Sequence, residues 1–184
     1  MAYNIKDVFY LSTSATISKT TAGTGSSQLD LSAYIDPIAR GRTKGTGLAI
    51  YKVHFSLLDA SGTPVDPADV GVLSVSMQAG LGVGDNATGT AFQATGLMDN
   101  TNALNIATSA YYAPGSMPDG GDMLPYVMPS TEVPYVVVRD NACLIYAIRD
   151  QVSVDDILLS VRLECAQITL DQATLNQLLR TQTV

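Results

Sequence analysis

Apolar and polar side chains alternate with a period of two along most of this chain, the signature of strands with one face in a core. Residues 7–18 form the first such stretch, with Phe9, Leu11, Ala15 and Ile17 set against Tyr10, Ser12, Ser14 and Thr16. Residues 20–27 read as a Gly/Ser/Thr turn region, and Leu29 and Leu31 alternate with Gln28, Asp30 and Ser32 in a short second strand. Residues 48–58 predict a strong third strand, with Ala49, Tyr51, Val53 and Phe55 on one face and Ile50, Lys52 and His54 on the other. The run Asp59-Ala60-Ser61-Gly62-Thr63-Pro64 is turn chemistry. Residues 70–77 give a fourth strand, and residues 90–97 a weaker fifth after a Gly-rich connection.

The alternation fails over residues 98–134, where Pro114, Pro118, Pro125, Pro129 and Pro134 are interspersed with Gly115, Gly120 and Gly121. A connection of this length in a compact domain is usually an interaction segment. It is expected to hold little regular structure beyond a helical turn near residues 103–110. Residues 133–139 then predict a strand apolar on both faces, as a central strand is. Asp140-Asn141 predicts a tight turn, and residues 142–148 the next strand. Residues 157–169 end the series, with Ile157, Leu159, Val161, Leu163 and Cys165 on one face. The tail switches period: Leu175, Leu178 and Leu179 share a helical stripe, and Thr169 with Gln172 suggests a capping box. The apolar face of this short helix, residues 171–181, needs cover from its own subunit or from a neighbour.

About eight strands with one long excursion predict an all-β fold, an eight-stranded antiparallel β-sandwich. A jelly roll fits the strand count, and an immunoglobulin-like sandwich fits it nearly as well, because periodicity does not give strand order. The chain has no Trp, and so lacks the Cys…Trp…Cys arrangement of true immunoglobulin domains. The expected organisation is a sandwich over residues 1–170, with residues 98–134 as a long interaction loop, followed by a tail over residues 171–184.

Composition narrows the functional classes. The 184 residues are enough for one domain with a sizeable core. Only 15% are charged, against ~25% in typical soluble domains, which suits a protein whose surface is partly covered by other subunits or is rich in uncharged polar residues. The net charge of −7, from 10 Lys and Arg against 17 Asp and Glu, and the lack of a basic arm argue against direct nucleic-acid binding. No secretory signal pattern is visible at Met1-Ala2-Tyr3-Asn4-Ile5-Lys6-Asp7. No apolar run approaches the ~18 residues that span a membrane. Synthesis in a cytoplasm is therefore expected.

Candidate chemistry is sparse, and no catalytic, cofactor-binding or metal-ligating residue is assigned. His54, the single histidine, lies on a strand face beside Lys52, and no GxSxG elbow surrounds any serine; a structural or interfacial role is expected. Cys143 and Cys165 have no CxxC spacing and read as buried small hydrophobes, with a mutual disulfide as the alternative. Asp66-Pro67-Ala68-Asp69 and Asp119-Gly120-Gly121-Asp122 offer oxygen ligands for Ca²⁺, but neither matches an EF-hand loop. Arg40-Gly41-Arg42-Thr43-Lys44 is the one cationic cluster, suited to a solvated loop or a salt-bridge site on a neighbour. Gly80 to Gly89 superficially matches GxGxxG but has no βαβ context, and Asn86-Ala87-Thr88 is a glycosylation sequon without a secretion signal. Tyr111, Tyr112 and Tyr126 could form an aromatic platform for sugar in a lectin-like sandwich.

In length, strand-rich layout, early first strand, long excursion over residues 98–134 and strong final strand pair, the chain resembles the small single jelly-roll major capsid proteins of tailless, membrane-containing icosahedral viruses of archaea and bacteria. The resemblance spans most of the chain and includes no diagnostic motif. It implies upright jelly rolls in pseudo-hexameric capsomers over an inner lipid vesicle, and partnership with further copies of the chain and a second capsid or minor virion protein. It implies no enzymatic activity, cofactor or small-molecule substrate. Competing expectations are a head-decoration or tail structural protein of a tailed phage, and the lectin-like carbohydrate-binding sandwich.

Overall fold

A computed structural model describes residues 8–18, 23–36, 44–65, 72–80, 98–99, 101–112, 122–149 and 156–182. They form nine strands and one helix: β1 (Phe9–Ile17), β2 (Gly23–Asp30), β3 (Lys44–Asp59), β4 (Val72–Ala79), β5 (Asn105–Tyr112), β6 (Asp122–Val127), β7 (Tyr135–Val137), β8 (Asn141–Arg149), β9 (Ile157–Asp171) and α1 (Gln172–Thr181). The first sheet has the order β1-β9-β3-β7 and the second β2-β8-β4-β5-β6. Every strand pair is antiparallel.

The order defines a jelly roll. Four pairings are nested in sequence: β1 with β9, β2 with β8, β3 with β7, and β4 with β5. They describe one long antiparallel ribbon folded at its middle. Rolling that ribbon brings β9 against β3 and β8 against β4, completing two four-stranded sheets. β6 is an addition, paired to the outer side of β5. An immunoglobulin-like order is thereby excluded.

The core lies between the sheets. β9 contributes Ile157, Leu159, Val161, Leu163 and Cys165, all within about one percent of full burial, as their alternation requires. β4 answers with Leu73, Val75 and Met77, and β8 with Leu144 and Ile148. Each such side chain contributes about 1.5–3 kcal/mol on removal from water.

β3 departs from simple alternation. Its register against β9 slips between Ile50 and Lys52, leaving Tyr51 as an extra residue. Leu48 and Ile50 face the core before the bulge, and Val53, Phe55 and Leu57 face it afterwards. The faces expected from strict period two are therefore wrong for half the strand: Ile50 is fully buried in the core, while Ala49 and Tyr51 point to the other side.

That other side is covered by α1. Leu175 is fully buried against Ala49, Tyr51, Val138, Ala166, Ile168 and Leu170, with Leu178 and Leu179 packed beside it. The helix thus finds its partner within its own subunit. Its N-cap is Asp171, whose carboxylate accepts from the Thr174 N–H at 2.7 Å; the expected Thr169–Gln172 box does not form, because Thr169 still belongs to β9.

Other expectations need correction. Residues 23–27 belong to β2, where pairing with β8 supplies the order that their Gly/Ser/Thr composition lacks. Residues 98–134 contain β5 and β6 instead of irregular chain, and residues 105–110 are extended, not helical. β7 is a three-residue edge strand, not a central one; its two apolar faces meet the core through Val137 and α1 through Val136. Asp140-Asn141 crosses from one sheet to the other and so cannot close a hairpin; Asp140 O accepts from Leu31 N and Asn141 O from Gly80 N. The expected strand at residues 90–97 lies outside the described residues.

Candidate assembly surface

A sandwich that does not close into a barrel exposes edge strands, and how each edge is finished decides what can pair with it. Here the edges are β1 and β7 in one sheet, β2 and β6 in the other.

β1 and β2 adjoin across the sandwich and are joined by side chains. Thr13 Oγ1 and Ser27 Oγ share a hydrogen bond of 3.0 Å, and Tyr146 Oη donates to Thr16 O at 3.5 Å. The Tyr146 ring lies so close over Gly25 that any Cβ there would collide with it, which explains the glycine. On the outer face of the first sheet, Val8 and Tyr10 are each 55% exposed.

Tyr10 belongs to a ladder running across β1, β9 and β3. Tyr10 is level with Glu164, which is level with Lys52; Ser12 is level with Arg162, which is level with His54. The Arg162 guanidinium sits 4.5 Å from the centre of the Tyr10 ring, and His54 Nε2 lies 3.1 Å from Glu164 Oε1. The ladder begins where the β3 bulge ends the apolar surface under α1. His54 therefore takes part in a surface charge ladder with Lys52, Arg162 and Glu164.

The opposite margin is finished differently. Gln182, which follows α1 and is buried, places its side-chain amide along β7: Nε2 donates to Val136 O at 2.7 Å and Oε1 accepts from Val138 N. Arg139 Nη1 donates to the Gln182 carbonyl at 3.0 Å and holds it there. Two backbone groups at the β7 edge, Val136 O and Val138 N, are thus paired to the residue that follows α1. Tyr135 Oη donates to Ala103 O at 2.6 Å, tying β7 to the approach of β5, and burial pushes its hydroxyl ionisation well upward.

β6 has no such cover among the described residues. Pro125 lacks an N–H and blunts the strand for ladder formation. Beyond it, Tyr126 is 58% exposed, Met128 38% and Val133 74%. Ser130 turns the chain between the last two: Ser130 N donates to Val133 O and Val133 N to Ser130 Oγ, both at 3.1 Å. Glu132 stands exposed inside that turn.

The remaining sequence candidates fall apart in space. Cys143 and Cys165 are free, buried thiols on different sheets; burial pushes Cys143 up to about 11 and Cys165 to about 12. Tyr111 is buried in the core while Tyr126 is exposed, so these two do not form one platform, and the Tyr112 side chain lies outside the described residues. Also outside them are the acidic run at residues 66–69, the Gly-rich run at 81–89, residues 40–43 of the cationic cluster and residues 119–121; Lys44 opens β3 level with Asp171. Among the described residues no group of three His, Cys, Asp or Glu could hold a metal ion, and no helix is long and apolar enough to cross a membrane. Sequence reasoning singled out Tyr126 but missed Met128, Val133, Gln182 and the Tyr10–Arg162 pair. Only strand order reveals that they lie at margins.

No protein-family model and no curated protein sequence matches this chain. Among solved structures, that of tomato aspermy virus is 16% identical over 85% of this chain and 77% of its own, with a TM-score of 0.40. The VP1 protein of trichodysplasia spinulosa-associated polyomavirus, in complex with sialylated glycooligomers, is 8% identical over 92% of this chain and 100% of its own, with a TM-score of 0.44. The same VP1 with GM1 oligosaccharide gives 8% identity, 93% and 99% coverage, and a TM-score of 0.44.

Proposed function

We propose that the chain is a virion structural protein, a capsid subunit that self-assembles into an icosahedral shell. The observation that carries this reading is the β6 margin, an edge beside which Tyr126, Met128 and Val133 remain in solvent. Large apolar side chains left in solvent along one short stretch of chain suit a site of association. The β7 margin is already filled by Gln182 and α1, so contacts between subunits fall to the β1 and β6 margins and to loops rather than to the helix. A shell repeats modest interfaces by symmetry and gains stability from their number.

The acidic composition fits a coat that does not grip nucleic acid directly. A second capsid or minor virion protein, an inner membrane beneath the shell and synthesis in a host cytoplasm complete the proposal. No enzymatic role belongs to it.

The test is light scattering and negative-stain microscopy of the purified protein over a range of concentrations. Regular oligomers or shells are expected. A monodisperse monomer at high concentration overturns the reading.

A further inference from the structure

Two exposed apolar patches lie on opposite margins of one sandwich. Val8 precedes and Tyr10 lies on β1, the end strand of the first sheet, which is stitched to β2, the end strand of the second. Tyr126 lies on β6, at the far end of that second sheet, and Met128 and Val133 in the connection from β6 to β7, the end strand of the first sheet opposite β1. Four strand spacings separate β2 from β6, roughly 19 Å. The patches are therefore distinct surfaces, not two parts of one.

We infer that these patches bind each other head to tail between copies of this chain, the Tyr10 margin of one subunit receiving the Tyr126–Val133 margin of the next. The inference rests on the assembly reading above and specifies its interface.

Three observations select a second copy as the occupant. Both patches belong to the same chain, and one repeated contact buries both. A two-fold contact of either patch with itself leaves the other in water. The charges are also complementary. The Tyr10 side carries Lys52 and Arg162 against Glu164, an excess of one positive charge. The Tyr126 side carries Glu132 between Met128 and Val133, exposed. Opposite potentials steer and orient such a contact. Finally, Tyr10 is already seated against Arg162. A Tyr held in place by Arg loses little conformational freedom on binding, and Tyr, Met and Arg are the residue types enriched at interface centres.

A contact between different surfaces closes into a ring when its rotation divides a full turn. The expected product is a ring, or an open chain of subunits where the rotation does not close, and not an isolated two-fold dimer.

The test uses two full-length variants, Tyr10→Glu and Val133→Asp, each checked for the wild-type circular-dichroism spectrum. Both positions are exposed, so folding should be retained. Sedimentation velocity follows assembly. Each variant alone is expected to need at least about tenfold more protein than wild type to assemble. Mixed together, they retain one intact pair of margins and should form a 1:1 dimer that grows no further. An independent arm pairs Tyr10→Cys with Val133→Cys under oxidation and looks for the 10–133 cross-link, the native thiols being buried. Variants that assemble like wild type overturn the inference while leaving the assembly reading intact. So does a mixture that stays monomeric and gives no cross-link, which points to another partner for these patches. A wild-type protein that never assembles overturns both.

Discussion

Gln182 and Val138 are 44 residues apart and are joined by a hydrogen bond of 3.1 Å that places a side-chain amide where a neighbouring strand would run. The same amide donates to Val136 O, so one residue satisfies two groups of an edge. Replacing Gln182 by Ala leaves the buried Val138 N–H without its acceptor. A stability loss of about 2 kcal/mol is expected, since a buried unsatisfied group costs about 1–3 kcal/mol. Urea unfolding measures it, and an unchanged midpoint would contradict the role assigned to Gln182.

Leu175 is the fully buried anchor of α1. Leu175→Ala opens a cavity over Ala49, Tyr51 and Ile168 and should cost about 2–4 kcal/mol. Hydrogen exchange should show faster opening of α1 and of the Val136–Val138 amides together. Protected amides at both places would show that the helix is held by something else.

Gly25 is required by the ring of Tyr146. Gly25→Ala should destabilise by about 1–3 kcal/mol through overpacking. The penalty should nearly vanish in a Tyr146→Ala background, because the atom that collides is gone. A double-mutant cycle reads this coupling, and additive effects would refute it.

The two buried thiols predict alkaline sensitivity. Folding raises both above the ordinary value of 9.0, to about 11 for Cys143 and about 12 for Cys165, because burial disfavours the thiolate. Between those values the unfolded chain has released protons that the folded one still holds. Their stabilisation is thus fully present below pH 9 and is lost as pH rises through the folded values. Unfolding midpoints should fall from pH 9 upward, and less so in a Cys143→Ala, Cys165→Ala double variant. At neutral pH a thiol reagent should label either residue only as the protein unfolds.

Much of this fold is legible in the sequence. β9 stands out because its Ile157–Cys165 stretch meets the core with every second side chain, so alternation survives there. β8 stands out because it is a run of apolar side chains buried on both faces, Leu144 in the main core and Cys143 and Ile145 on the other side. α1 is visible because Leu175, Leu178 and Leu179 recur at helical spacing. β2 is not, since Gly23–Ser27 has no apolar side chain to alternate, and its order comes from the register with β8. β5 escapes because Ala107, Thr108 and Ser109 are small and buried on both sides of the sheet, erasing the contrast that periodicity needs. The bulge at Tyr51 hides the true facing of β3. The margins are least legible: Met128 and Val133 become notable only once β6 is known to end a sheet, and composition carries no strand order.

The nesting of the strand pairs also has a kinetic side. β9 follows every other strand in the sequence, yet it occupies an interior position between β1 and β3. During translation the first sheet cannot close until residues 157–171 have left the ribosome. Contacts of such long sequence separation form slowly. A nascent chain consequently lacks the framework that seats Tyr10 against Arg162 until β9 has emerged and paired with β1, so the outer surface of the first sheet takes its final form only after the last of the nine strands is made.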